Sequence, residues 1–387
     1  MRATKMLRAA LSTAGLCVLA IPARADSVRL IDQFKHGGYS PYYGVTVANG
    51  QIFGVTSSGG NKGCLGDLGC GTVFMLQQTD NHWASTTLHA FKGGADGAYP
   101  YPLTVDTDGT VYGSTGSFNY GTVFRLLPPG SGSSTWTYEI LYRFSGKHGN
   151  LNCNSFPLLV HNGTVYGLAC GAATGGTFYE LSQTGGAWHK DVLAGFTTAV
   201  PTSIAGFDPA GAVYISTSGM RGTVYRVAPP PGGSGAWTKQ VLAPFHEQPN
   251  ALLPTNLLLS PGGNLFGLDQ SGRGLDVFEL SPPAGGATAW TKTVIAAPRS
   301  HGYGPASLAL GAGGSLVGAI YGDQDFYGGA LYQIKPAGGG FWTTSILWDF
   351  GEQGPASNPV SVVYGGNRDY FGVLNDTYSN GQVFELH

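Results

Sequence analysis

The residues with chemistry to offer cluster in one part of the chain: Arg221, Arg273, Arg299, His301, Tyr303 and Tyr321. Arg beside His and Tyr suits β-elimination at a uronate. A guanidinium neutralises the carboxylate, and an imidazole or phenol removes the proton α to it and protonates the leaving oxygen. On that reading Arg299, His301 and Tyr303 form the catalytic set of a polyuronate lyase, and Arg221, Arg273 and Tyr321 hold the ligand. Drift in solvated loops leaves the same side chains, so this enzymatic reading stands second. The first reading is a non-enzymatic binding or scaffold role for a saccharide or protein partner, suggested by loops that carry Tyr, Asn, Asp, His and Arg amid Gly. No cofactor is expected, because the chain has neither a haem-attachment Cys-x-x-Cys-His nor an adjacent Cys pair. Asp106-Thr107-Asp108-Gly109 starts like a calcium loop but lacks the later ligands, and is expected to be a turn.

Five cysteines are present, and Cys17 lies in an N-terminal apolar run expected to be removed. Cys64 and Cys70 share one loop, and Cys153 and Cys170 lie in two loops that leave the same end of one repeat. In an oxidising compartment, pairs 64–70 and 153–170 are the natural choice among three connectivities. A four-cysteine zinc site is the alternative, with a spacing unlike paired Cys-x-x-Cys knuckles.

Holding such loops together requires a scaffold, and a repeat provides one. Six times a Trp is followed eight residues later by an aromatic residue or Pro: Trp83/Phe91, Trp136/Phe144, Trp188/Phe196, Trp237/Phe245, Trp290/Pro298 and Trp342/Phe350. Strand side chains alternate, so an even separation predicts both residues on one face of an extended segment, whereas a helix would splay them roughly 80° apart. Each Trp strand is preceded by an apolar run after a Pro, an aromatic-Gly pair such as Phe53-Gly54 or Tyr112-Gly113, and a Gly-Thr-Val-Phe-like strand such as Gly71–Phe74. The unit is therefore four strands with the Trp strand outermost. Seven sets follow, ending near 91, 144, 196, 245, 298, 350 and 387, at about 52 residues each against the ~40–50 usual for propeller blades. The expectation is an all-β, seven-bladed β-propeller over 26–387.

The seventh set stops at His387 without a Trp strand. Ser27–Phe34 has no partner of its own, with Val28, Leu30 and Phe34 expected on one face. The termini are thus expected to complete one blade, three strands from one end and one from the other, leaving no open sheet edge. His387 itself is expected to fray. Loops joining fourth to first and second to third strands leave one face, which makes that face the mouth.

Arg2, Lys5 and Arg8 precede the apolar run Ala9 to Ile21, closed by Pro22 and the small-residue site Ala23-Arg24-Ala25. Residues 1–25 read as a secretory signal peptide, with the mature protein periplasmic or secreted and no membrane span. Removing its four basic residues leaves 16 basic against 22 acidic side chains, a net charge near −6. That balance argues against nucleic acid as a partner. A monomer is expected.

The Tyr-Gly strand, the Gly-Thr-Val-Phe-Glu-Leu-like strand and the following Trp-Thr strand resemble the GloVer tandem repeat of bacterial exported proteins with a choice of C-terminal anchors. The resemblance spans essentially all of 26–387 and implies an exported, β-propeller-like repeat protein. It implies no activity. This chain departs from that pattern by ending on the repeat itself.

Overall fold

Strand formation follows the repeat, and the ring follows from how each blade is bent. The computed structural model describes residues 27–34, 38–39, 41, 43–61, 63–64, 68–80, 82–116, 121–145, 151, 156–170, 175–197, 199–218, 222–233, 235–245, 254–271, 274–284, 289–297, 305–322, 328–353, 358–375 and 381–387. They form seven four-stranded antiparallel sheets arranged as the blades of a propeller. Blade 1 comprises Val45–Ala48, Gln51–Thr56, Thr72–Thr79 and His82–Ala90. Blade 7 comprises Asn358–Gly366, Asp369–Asn375 and Gln382–Leu386, joined by Val28–Gln33 as its outermost strand. A two-stranded ribbon, Gly38–Tyr39 with Ser58–Gly59, is an addition that the repeat did not foretell.

Every outer strand carries a β-bulge at the same place. In blade 1, Val73 pairs with His89 but Phe74 pairs with Thr87, which leaves Leu88 as the extra residue. The equivalent residues are Leu141, Leu193, Leu242, Ile295, Leu347 and, in blade 7, Ile31. One inserted residue reverses the alternation beyond it. The expectation that each Trp shares a face with the aromatic residue eight positions on is therefore corrected: they lie on opposite faces. Trp136 meets Phe53 of the preceding blade at 6.2 Å between ring centroids, whereas Phe144 meets Tyr179 of the following blade at 5.5 Å. The same division holds for Trp83 on Phe371 and Phe91 on Phe124. For the same reason Phe34 does not share a side with Val28 and Leu30. Those two pack toward blade 6, while Ile31 and Phe34 pack toward blade 1.

The core is accordingly divided into seven wedges, each lying between two neighbouring blades. The recurring aromatic-Gly pair has a packing cause. Gly54 pairs directly with Phe74, and a Cβ added at Gly54 would stand 2.4 Å from the Phe74 ring. The glycine that opens the third strand serves the seam between blades: Gly71 has φ 93° and an added Cβ there would meet Pro100 of the next blade at 2.6 Å. Gly381 approaches Pro41 in the same manner, across the junction between blades 7 and 1.

That junction is made by the chain ends. Val28 pairs with Leu386, Leu30 with Phe384 and Gln33 with Gln382. The fraying expected of His387 is corrected as well, because its backbone N–H donates to Ser27 O at 3.3 Å and its Nδ1 lies 2.8 Å from Asp369 Oδ1.

Candidate functional site

The first strands of five blades, and the residues that lead into the first strands of blades 2 and 3, line one cavity of about 510 Å³, which fixes the first strands as the inner ones. Its wall is formed by segments at Tyr43–Thr46, Pro102–Leu103, Phe156–Pro157, Thr202–Ile204, Thr255–Leu258, Ser307–Ala309 and Val360–Val363. These segments are where the chain passes from a mouth loop into an inner strand. Tyr321 completes the lining, and it directly follows the second strand of blade 6, Leu316–Ile320. Other blades hold a small residue at this point: Ser57, Gly116 and Ser218. None of the described lining residues carries a charge.

The wall is not chemically uniform. On the side of blades 1 to 4, side-chain hydroxyls are engaged in holding neighbouring blades together. Thr46 Oγ1 donates to Leu103 O at 2.8 Å, Thr104 Oγ1 donates to Leu158 O, and Thr202 Oγ1 donates to Pro254 O at 2.7 Å. Ser203 Oγ accepts from Leu257 N at 2.9 Å. On the side of blades 5 to 7, the Ser307 and Ser361 hydroxyls are buried with no hydrogen-bond partner among the described residues. Asn256 sits there at φ 50°, a left-handed backbone that Asn tolerates better than most residues. Tyr43 closes the other side against Tyr101, with ring centroids 5.4 Å apart. Burial, and then the neighbouring Tyr43, push the Tyr101 phenol up to about 12, so at neutral pH it is a hydrogen-bond donor and not a base.

Beside the cavity, the loop from 91 to 100 is held from three directions. The Cys64–Cys70 disulfide lies against Gly93, where an added Cβ would stand 2.8 Å from Cys64 Sγ. Asp96 Oδ2 accepts from Lys92 N at 2.8 Å and lies 3.1 Å from His89 Nε2, while the His89 ring stacks on Tyr138 of blade 2 at 3.8 Å. Tyr138 Oη in turn donates to Asp96 O at 2.8 Å. Burial drives the His89 imidazole below its usual range. Asp96 opposes that shift without cancelling it, and Lys92 adds to it.

Of the sequence-predicted site residues, Tyr321 is in the cavity wall. Arg221, Arg273, Arg299, His301 and Tyr303 lie outside the described residues, as do Cys153 and the segment 1–26. The Cys64–Cys70 pairing is present, and Cys170 is also disulfide-bonded. Asp106 and Asp108 accept hydrogen bonds from Thr107 N and Thr110 N, as a turn requires. Among the described residues no cluster of His, Cys, Asp or Glu could hold a metal ion, and no helix is long and apolar enough to cross a membrane. Sequence reasoning missed Thr255, Asn256, Ser307 and Ser361. For the last three the signal was a polar residue two positions after the Pro that opens the inner strand: Asn256, Ser307 and Ser361 follow Pro254, Pro305 and Pro359 as Ser203 follows Pro201.

Fold and cavity together define a seven-bladed β-propeller with an axial chamber whose described lining residues are uncharged. No protein-family profile matches the chain, and no curated protein matches it either. Its fold is similar to that of a puromycin hydrolase, with a TM-score of 0.60 and 13% identity over 91% of this chain and 52% of that one. This chain thus spans about half the length of that enzyme. It is similar to the β-propeller domain of Cps50 (Swd1) from Myceliophteria thermophila, with a TM-score of 0.56 and 11% identity over 93% and 99% of the two chains. An ulvan lyase, a polysaccharide lyase, gives a TM-score of 0.57 and 9% identity over 92% and 95%. At such identities the likeness shows the fold alone.

Proposed function

We propose that this protein is an exported binding or scaffold module of the GloVer-repeat kind, which takes a saccharide or protein ligand at the mouth of the propeller. The observation that carries the reading is the cavity of about 510 Å³ to which all seven blades contribute. Its size falls in the roughly 300–1,000 Å³ range of small-molecule sites, which are mostly apolar with a few placed polar groups. The Cys64–Cys70 disulfide fits an oxidising compartment outside the cytosol, in keeping with a signal peptide at 1–25. We assign Cys153 as the partner of Cys170.

A glycan-binding screen of the exported protein, run while absorbance of unsaturated uronate is followed, tests this. Saturable binding without growth of that absorbance is the expected result. Turnover abolished by His301→Ala or Tyr303→Phe would overturn it in favour of elimination by Arg299, His301 and Tyr303, with Arg221, Arg273 and Tyr321 holding the polymer.

A further inference from the structure

We infer that the axial cavity is itself a site for an uncharged, polyhydroxylated ligand, a neutral saccharide, docked against blades 5 to 7; this rests on the binding reading above and narrows it. Sidedness is the basis. Blades 1 and 4 spend their lining hydroxyls on the next blade's backbone, as Thr46, Thr202 and Ser203 show. Across the cavity, Thr255 and Asn256 of blade 5 are half-buried lining residues whose side chains make no hydrogen bond among the described residues. Ser307 of blade 6 and Ser361 of blade 7 add two hydroxyls with no partner among the described residues. Rotation about χ1 turns a serine hydroxyl between staggered positions at little cost, so both can be offered to a ligand. Together these side chains supply one amide, with two donors and an acceptor, and three hydroxyls, each able to donate and accept. Such a set matches a polyol. Tyr321, half-buried in the lining, adds an aromatic surface for the apolar face of a sugar ring.

The charge of the wall selects as well. No described lining residue is Arg, Lys or His. A carboxylate or sulfate held against the described wall would lose hydration without meeting a cation among those residues, which is strongly unfavourable. The described wall therefore favours a neutral saccharide over an acidic one.

Isothermal titration of the intact protein with neutral gluco-, manno-, galacto- and xylo-oligosaccharides, and with oligogalacturonate of equal length, tests the inference. At least one neutral probe should bind at least tenfold more tightly than oligogalacturonate. Thr255→Val and Asn256→Gly, the latter keeping the left-handed backbone accessible, should each weaken that binding about tenfold. Thr86→Val, on the exposed outer strand of blade 1 and away from the cavity, should leave it within twofold, and circular dichroism of each variant checks that it folds. If a saccharide binds but both blade 5 variants bind it as the parent does, or if oligogalacturonate binds as well as the neutral probes, the cavity assignment is wrong while the binding reading stands. If no probe of either kind binds, the cavity assignment falls and a saccharide role falls with it.

Discussion

At the scale of single residues, the repeat is a set of steric fits. Replacing Gly54 with Ala stabilises the folded state by about 0.4–1 kcal/mol through the unfolded chain, but it drives a Cβ to 2.4 Å from the Phe74 ring. Overpacking of that kind costs about 1–3 kcal/mol, so the ring contact wins. Chemical denaturation of Gly54→Ala should show a net loss of about 1–2 kcal/mol. Blade 4 shows how the structure copes when the glycine is absent: Ile215 takes the place, and its partner Tyr225 is half-buried where Tyr179 and Tyr332 are fully buried. His89 gives a second prediction. Its proton is bound more weakly in the folded protein than in the unfolded chain, whose imidazole titrates near 6.5. Above that pH neither state is charged and the residue adds no slope. As pH falls below about 6.5 the unfolded state takes up the proton first, so stability drops, by at most about 1.4 kcal/mol per pH unit, down to the folded-state value. The melting temperature should fall between pH 7 and 5 more steeply for the parent than for His89→Leu. Equal slopes would contradict this role.

At the scale of the strand, the spacing in the sequence disclosed the element but not its shape. Trp and aromatic eight apart marked the outer strand in blade after blade, yet the inserted Leu or Ile between them is invisible to a rule of strict alternation. It could have been found: position five after each Trp is Leu88, Leu141, Leu193, Leu242, Ile295 or Leu347. This invariance within the chain is unexpected of a residue on an exposed outer strand and natural for one that turns into the following wedge. A second regularity follows from the same geometry. Lys190, Lys239 and Lys292, two positions after their Trp, each lie over the aromatic ring that closes the preceding blade: Phe144 at 5.7 Å, Phe196 at 5.1 Å and Phe245 at 3.9 Å. Blade 6 follows Pro298, which offers no ring, and has Thr344 in place of Lys. Lys292 also pairs with Asp269 at 2.7 Å. Lys292→Met should therefore cost about 1–2 kcal/mol in thermal or denaturant unfolding, whereas Thr344→Lys should change stability by less than about 0.5 kcal/mol. A neutral Lys292→Met would show that these lysines merely lie on the surface. The functional side chains were less legible than the strands. Tyr321 was visible as one of a group of Arg, His and Tyr in the loops, while Thr255, Asn256, Ser307 and Ser361 sit in short runs whose apolar neighbours fix the strand and mask the polar wall.

At the scale of the whole molecule, the cavity and the ring are one claim, because the chamber has a complete wall only if blade 7 closes on blade 1. Val360–Val363 and Tyr43–Thr46 are neighbours in that wall, and the segment that secures them is Val28–Gln33. Its bulge at Ile31 lets one short strand serve two wedges, with Val28 and Leu30 on one side and Ile31 and Phe34 on the other. Full burial of a large apolar side chain contributes about 1.5–3 kcal/mol. At half that value for these half-buried groups, the four contribute about 3–6 kcal/mol, against the ~5–15 kcal/mol that separates a typical folded domain from its unfolded state. Losing them would also bare the edge of Gln382–Leu386 to water and to other chains. Thermal unfolding with light scattering, applied to a chain lacking residues 27–34 and to a permutant that carries them after His387, tests closure most directly. The truncated chain should lose its cooperative transition or aggregate, and the permutant should regain it. A truncated chain that stays monomeric with an unchanged melting temperature would contradict the closed ring.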